Sequence, residues 1–232
     1  MVGPRSAGVP LPRPPLAPGD DEVRHWYENV LGWPTVPGAP LRLAAGVRFD
    51  VLDLPAEAGW AAFGRLERQG RCGRLGRGFP VALCGSRMRL LVAAGSAEEL
   101  PGLLEWLEWG PPLDLDLTAI GAGGSMEAPR PAGPGAGGEA REGRPRGGGA
   151  GVPGGSQGAA LWLRPPEPER GAGAPLPTLS AMGTRSAKGD CDSPPDLVRL
   201  VNTVATQIHR VRLRRARAGA AVEADGQPLA FS

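Results

Sequence analysis

One stretch of the sequence carries two carboxylates in a setting that suits metal-dependent chemistry. Residues 46–59, GVRFDVLDLPAEAG, contain Asp50 and Asp53 shortly before a proline and the apolar start of the next segment. We predict a strand over about 47–52, a tight turn at Pro55 and then a helix. Carboxylate oxygens at a strand end are ligands that Mg²⁺ accepts in nucleotide-handling enzymes. An ordinary core strand with exposed acidic ends is the alternative.

The elements that must position these carboxylates follow from hydrophobic periodicity. Apolar residues at helical spacing predict helices over about 21–31, 56–69, 97–109 and 194–209, and short or alternating apolar runs predict strands over about 81–84, 88–93, 113–118 and 159–163. Side chains alternate along a strand, so Asp50 and Asp53, three residues apart, are expected on opposite faces. Asp116 is expected within the strand over 113–118, on the same face as Asp114.

Local signals mark where these elements begin, turn and end. Gly85-Ser86 between two apolar runs predicts a hairpin with a type II′ turn. Ser96 and Glu99 match a capping box at the start of the third helix, and Trp60 is expected in the buried stripe of the second. Five apolar residues are expected on the buried face of the last helix: Leu197, Leu200, Val201, Val204 and Ile208.

Composition divides the chain. The 37 glycines and 27 prolines among 232 residues are concentrated in two regions, 1–19 and about 130–195. Such segments bury too little apolar surface to offset the entropy of ordering. We therefore predict a disordered Pro-rich tail at 1–19, an α+β core at 20–129, a long disordered Gly/Pro-rich insertion at 130–158, a return strand and basic-ended helix at 159–217 and a flexible tail at 218–232. The core is expected to hold a mixed or antiparallel sheet with packed helices.

Charge and cysteine content exclude some classes of protein. A net charge of +2 creates no global field that draws the chain to nucleic acid or to anionic membrane. The three cysteines, Cys72, Cys84 and Cys191, form no C-x-x-C pair, which argues against a disulfide scaffold or a zinc site. No apolar run has the length of a signal peptide or of a membrane span, so we expect a cytoplasmic protein with no membrane partner.

Two clusters of arginine have an open interpretation. One lies in the glycine-rich loop over 70–79, and the other follows the last predicted helix at Arg210, Arg212, Arg214, Arg215 and Arg217. Either could contact phosphates. Because Lys188 is the only lysine among 26 basic residues, arginine is the default cation in this chain, as in GC-rich actinobacterial sequences. A solvated loop and a solvated basic helix end are the alternatives.

The order of several short motifs resembles the N-terminal domain of the bifunctional DNA primase/polymerase (prim-pol) family. The similar segments are LGWPTVPGAP, VLDLPAEAG, GSRMRLLV and DLTAIGAGGSMEAP, and the resemblance covers about residues 20–165. It implies a prim-pol-like α+β fold and metal-dependent nucleotidyl transfer, in which Mg²⁺ or Mn²⁺ activates a 3′ hydroxyl. The chain would be a degenerate, stand-alone actinobacterial member.

Matched residue by residue, the resemblance implies a site in which some positions have changed. Asp53 and Asp116 match metal-binding aspartates and would be both the catalytic and the metal-binding residues. Leu54-Pro55 stands where the family has its second acid. Met88 stands at the family's histidine, so the flanking Arg87 and Arg89 are the candidates for binding nucleotide phosphates.

The expected function is therefore primase/polymerase ancestry with impaired or absent catalysis and residual binding of a nucleotide or of DNA. The alternative is a non-catalytic interaction or regulatory protein that kept the fold and binds a protein partner through its disordered segments. A domain that binds a regulatory small molecule is a third interpretation, because tryptophan-rich pockets suit such ligands.

Overall fold

The computed structural model describes residues 20–69, 79–111, 113–130, 160–166, 176–179 and 196–225. Three sequence predictions lie wholly or almost wholly outside these ranges: the Pro-rich tail at 1–19, the arginine-rich loop over 70–79 and the insertion at 130–158. The last helix, predicted over about 194–209, runs to Asp225, so residues 218–225 of the predicted flexible tail are helical, and 226–232 lie outside the described residues. In the part that is described, no helix is long and apolar enough to cross a membrane.

The fold is α+β, and the described residues form two antiparallel sheets and four helices. The helices are α1 (Asp20–His25, continued by a π-helical turn at Trp26–Val30), α2 (Ala56–Gln69), α3 (Ser96–Trp106) and α4 (Leu197–Asp225). The strands are β1 (Thr35–Val36), β2 (Arg42–Ala44), β3 (Asp50–Pro55), β4 (Val81–Cys84), β5 (Arg87–Val92), β6 (Thr118–Ile120), β7 (Ser125–Glu127) and β8 (Leu161–Arg164).

The larger sheet has the strand order β6-β3-β5-β4-β8, so β3 and β5 lie in its middle, and a small sheet has the order β1-β2-β7. Side chains alternate along the strands and form two separate cores. Leu52 and Leu90 point to the face covered by α2, α3 and α4, and we name the core on this face the helix-side core. Val51 and Leu91 point to the other face, where they pack with α1 and the small sheet. The larger sheet is therefore the middle layer of the molecule.

Hydrogen bonds of two aromatic side chains, Tyr27 and Trp162, join α1 to the larger sheet on the small-sheet side. The buried hydroxyl of Tyr27 donates to the carbonyl of Pro129, and Trp162 Nε1 donates to that hydroxyl at 2.8 Å. Burial raises the pKa of Tyr27 well above its ordinary value, although the hydrogen bond from Trp162 acts to lower it. The phenol is therefore a neutral structural group that links α1 to β8.

Several predicted elements are confirmed. Gly85 has a φ of 56° and is followed by Ser86 at negative φ, as a type II′ turn between β4 and β5 requires. Helix α2 has the predicted bounds, and β8 forms where the return strand is expected. All five residues predicted for the buried face of the last helix are buried.

Other predictions are wrong. The strand predicted over 47–52 runs from Asp50 to Pro55, and the strand predicted over 113–118 is displaced to β6, so Asp116 precedes the strand instead of lying in it. Leu117 packs into the helix-side core, so the alternation of leucine and aspartate reflects the burial of an irregular segment. Trp60 is 47% exposed because the smaller Ala58 and Ala62 occupy the buried side of α2.

The cap of α3 also differs from the prediction. Gly95, with a φ of 92°, precedes the helix, and no side-chain cap comes from the local sequence. The carboxylate of Asp50 in β3 accepts a hydrogen bond from the backbone N–H of Ala97 at 2.9 Å. A residue 47 positions away therefore does what Ser96 was predicted to do, because the tertiary fold brings β3 to the start of α3.

Candidate functional site

The strand register of the larger sheet places Asp53, Arg87 and Arg89 on one face. Asp53 is directly opposite Arg89 in the antiparallel pair β3·β5, and Pro55 is opposite Arg87. Arg87, Arg89 and Asp53 alternate with the helix-side core residues Met88 and Leu54, so their side chains point toward the small sheet. Cross-strand neighbours on one face are close enough to pair.

Asp53 is held by both arginines. Arg87 Nε donates to Asp53 Oδ1 at 2.5 Å, and Arg89 Nε donates to Asp53 Oδ2 at 3.0 Å. Arg87 Nη2 also donates to the backbone carbonyl of Asp53 at 3.1 Å. The side chain of Asp53 is only 11% exposed, so this is a half-buried, charge-assisted network.

Asp116 joins the network from its edge. It reaches the site because Thr118, two residues later, pairs with Asp53 in the β3·β6 ladder. Arg87 Nη1 donates to Asp116 Oδ1 at 2.5 Å, so one guanidinium links both aspartates. The side chain of Asp116 is 57% exposed, whereas that of Arg87 is 30% exposed. The four residues form what we name the Asp53 cluster: Asp53, Arg87, Arg89 and Asp116.

The two positive and two negative charges of the Asp53 cluster compensate each other. Partial burial acts to lower the pKa of Arg87, but its hydrogen bonds and charge interactions with Asp116 and Asp53 outweigh that effect and raise it above the ordinary value. Arg87 is therefore a cation throughout the physiological range. Arg89 Nη1 is buried and has no hydrogen-bond partner in the described part of the chain.

A divalent cation does not fit the Asp53 cluster as it is arranged. Both carboxylate oxygens of Asp53 already accept from guanidinium groups, so an incoming ion would meet two positive charges at contact distance. Within the described ranges, no group of three or more histidine, cysteine, aspartate or glutamate side chains is placed to hold a metal ion. The four residues that the resemblance implied lie together, but guanidinium nitrogens occupy the positions where the metal is expected.

Asp50 lies apart from this cluster, as the spacing of three residues predicts. Its side chain points to the helix face, where it is fully buried and caps α3 through Ala97. It therefore cannot supply a second carboxylate beside Asp53.

The positions that depart from the prim-pol pattern point away from the Asp53 cluster or lack a polar group. Met88 and Leu54 are fully buried in the helix-side core. A methyl group added at Gly59 of α2 would collide with the sulfur of Met88, which shows how closely α2 lies on this strand. Pro55, two residues after Asp53, is the position on the same face and carries no ligand. The polar residues that do reach the site are therefore those on either side of Met88.

A second group of charged residues lies between α2 and α4 and includes the arginines that follow the last predicted helix. Arg214 and Arg215 pair with Glu57 of α2 at 3.2 and 3.0 Å. The pairing with Glu57 had no signal in the sequence, because 157 and 158 residues separate the partners. The repeated arginines were the only sign of this surface.

Comparison with known proteins gives no relative: no protein-family model matches the chain, and no curated protein or solved structure matches it. The functional argument therefore depends on the residues and their geometry.

Proposed function

We propose that the protein is a non-catalytic, prim-pol-like domain that binds the phosphate groups of a nucleotide or of nucleic acid at Arg87. The observation that supports this proposal is that one partly exposed guanidinium spans Asp53 and Asp116. Arg87 is held in place by the inner aspartate and faces solvent through the outer one.

The two aspartates differ in how firmly they are held. Asp53 accepts from two guanidinium groups and is nearly buried, so it is a fixed anchor. Asp116 has one ion-pair partner in the described part of the chain and is more than half exposed. Exposed pairs of this kind contribute about 0–1 kcal/mol, so an external anion can displace Asp116 at little cost.

A phosphate is the anion that the freed groups suit best. A guanidinium is planar and donates through paired N–H groups, which match the oxygens of a phosphate. When Asp116 leaves, two positive charges and the single negative charge of Asp53 remain. Arg89 stays paired with Asp53 through its Nε, so Arg87 is the guanidinium that faces the ligand. The net charge of +1 that remains favours an anionic ligand.

The same geometry argues against nucleotidyl transfer. That reaction needs metal ions that activate the attacking oxygen and neutralise the triphosphate. Asp53 would have to break two charge-assisted hydrogen bonds before it could bind such an ion. Met88 and Pro55 also supply no ligand. Binding without catalysis is thus the function that these residues support best.

The proposal is tested by titrating the full chain with a fluorescent nucleoside triphosphate in the absence of divalent metal. We expect Arg87→Gln to weaken binding at least tenfold, because it removes the donor to phosphate. Asp116→Asn should strengthen binding by about two- to fivefold, since it removes the competing carboxylate at an exposed position.

Arg48→Gln is the matched control, because Arg48 is exposed, lies outside the Asp53 cluster and loses the same charge. Equal affinities for wild type and Arg87→Gln would contradict the binding proposal. A primer-extension assay with Mg²⁺ or Mn²⁺ tests the claim that the protein is non-catalytic. Extension product that disappears in Asp53→Ala would overturn the non-catalytic assignment.

A protein partner is the second candidate, and one exposed side chain favours it. Trp106 at the end of α3 is 68% exposed, and large exposed aromatic residues are enriched in protein interfaces. If a partner binds here, pull-down of that partner should be lost in Trp106→Ala. Pull-down of the partner should be retained after deletion of residues 1–19. Loss only on deletion of 1–19 or 130–158 would instead assign the contact to those segments.

A further inference from the structure

Helix α4 extends beyond the core that it packs against. Its first half buries Leu200 and Val204, and Val211 is its last described buried residue. From Arg212 to Ala218 every described side chain is exposed. Exposed helix without an apolar face gains no stability from burial, so its composition is free to serve a contact with another molecule.

This exposed part of α4 is strongly and unevenly charged. Five arginines lie between positions 210 and 217, with no acidic residue among them. Glu57 pairs with Arg214 and Arg215, and Arg212 donates to the backbone carbonyl of Asp114 at 2.7 Å. Arg210 and Arg217 have no ion-pair or hydrogen-bond partner in the described part of the chain. At this end of the molecule, positive charge exceeds negative charge.

A groove between α2 and α4 collects these cations. It has a volume of about 370 Å³, and we name it the α2–α4 groove; it is lined by Ala61, Gln207, Arg210, Leu213, Arg214 and Arg217. Small and apolar side chains form part of the lining. The three arginines are spaced i, i+4 and i+7, so they follow one side of the helix.

We propose that the α2–α4 groove binds the phosphate backbone of single-stranded nucleic acid. Three arginines over seven residues span roughly 10 Å of helix axis, at 1.5 Å per residue. A nucleic acid strand presents a phosphate about every 3.4 Å along its axis in a duplex and is more extensible when single, so the three cations match two or three successive phosphates.

Trp60 is the reason for choosing a single strand. It is 47% exposed and lies one helical turn after Glu57, whose carboxylate pairs with Arg214 of the groove. An exposed indole beside a cationic groove provides a surface on which an unpaired base can stack. A duplex offers no unpaired base, and an acidic peptide offers no base at all. The site lies on the helix side of the larger sheet, opposite the Asp53 cluster, so this inference does not depend on the proposed function.

The test is fluorescence anisotropy of a labelled 20-nucleotide oligothymidylate with the full chain over a range of salt concentrations. The double substitution Arg210→Gln with Arg217→Gln should weaken binding at least fivefold. It should also reduce the slope of log affinity against log salt by about 1.4, because each lost phosphate contact to a single strand changes that slope by about 0.7. Trp60→Ala should weaken binding roughly fivefold or more through lost stacking.

The matched control is Arg42→Gln with Arg48→Gln, which removes two exposed charges on the small-sheet side. Its binding should stay within twofold of wild type. Equal losses in the groove variant and in the control would overturn the inference, because the attraction would then be a property of net charge alone. Tighter binding of duplex DNA, polyglutamate or anionic vesicles than of the oligonucleotide would also overturn it. A loss confined to Arg87→Gln would assign the binding to the Asp53 cluster instead.

Discussion

The two arginine-rich regions lie on opposite faces of the larger sheet and differ in how their charge is balanced. In the Asp53 cluster, two arginines meet two aspartates, and Asp53 is nearly buried between them. In the α2–α4 groove, Glu57 is the only acidic side chain paired with the arginines of α4 in the described part of the chain. One region is a charge-balanced network, and the other is an open cationic surface.

This difference shows that an arginine has no fixed role until its partners are known. A buried carboxylate requires its cations, so Arg87 and Arg89 contribute first to the fold. Exposed cations on a helix that extends beyond its core contribute little to stability and remain available to a ligand. Stability measurements and binding measurements should therefore separate the two regions.

The largest expected effect is on stability, in the Asp53 cluster. Asp53→Ala leaves two guanidinium groups without their shared anion, one of them in a largely buried position. We expect a loss of about 3 kcal/mol in the free energy of unfolding, measured by urea denaturation. A loss below about 1 kcal/mol would mean that the cluster is no more than a surface ion pair, and the contrast between the regions would disappear.

A smaller effect is expected at the outer edge of the same cluster. Asp116→Asn removes the exposed partner of Arg87 while the inner pairing remains. The expected loss is about 0.5 kcal/mol in the same denaturation experiment. A loss as large as that of Asp53→Ala would show that Asp116 is a second anchor, which would contradict its proposed displacement by phosphate.

Glu57, which pairs with Arg214 and Arg215, offers a test of the charge balance at the α2–α4 groove. Glu57→Gln frees Arg214 and Arg215, so affinity for oligothymidylate should rise about two- to fivefold at low salt. The free energy of unfolding should fall by no more than about 0.5 kcal/mol, because the pairs are exposed. Glu99→Gln, an exposed charge change on α3, is the control for anisotropy. Equal affinity gains in both variants would remove the special role of Glu57.

The smallest effect is expected for the stability of the groove variant. Arg210→Gln with Arg217→Gln should change the free energy of unfolding by less than about 0.5 kcal/mol, since neither residue has a partner in the described part of the chain. Circular dichroism during thermal unfolding measures this directly. A marked destabilisation would show that these arginines are structural, as Arg87 and Arg89 are.

Local sequence signals predicted the elements that depend on local physics. The glycine that begins a type II′ turn at Gly85 and the apolar spacing along α4 act through neighbouring residues, so sequence alone reveals them. Local sequence signals did not predict the strand boundaries. The alternation in residues 113–118 satisfies the strand pattern, but only hydrogen bonding to β3 decides that the strand begins at Thr118. Pairing partners distant in sequence leave no local signal.

The candidate site shows the same division. The resemblance to the prim-pol family implied one site with Asp53, Asp116, Arg87 and Arg89, and the strand register brings these four residues together. The sequence also determined that Asp50 and Asp53 point to opposite faces, because the side-chain period of a strand is two residues. Only the tertiary structure decided that guanidinium groups occupy both oxygens of Asp53 and that Asp50 caps α3. Those contacts join residues more than 30 positions apart, and charge compensation at such distances is a property of the folded chain.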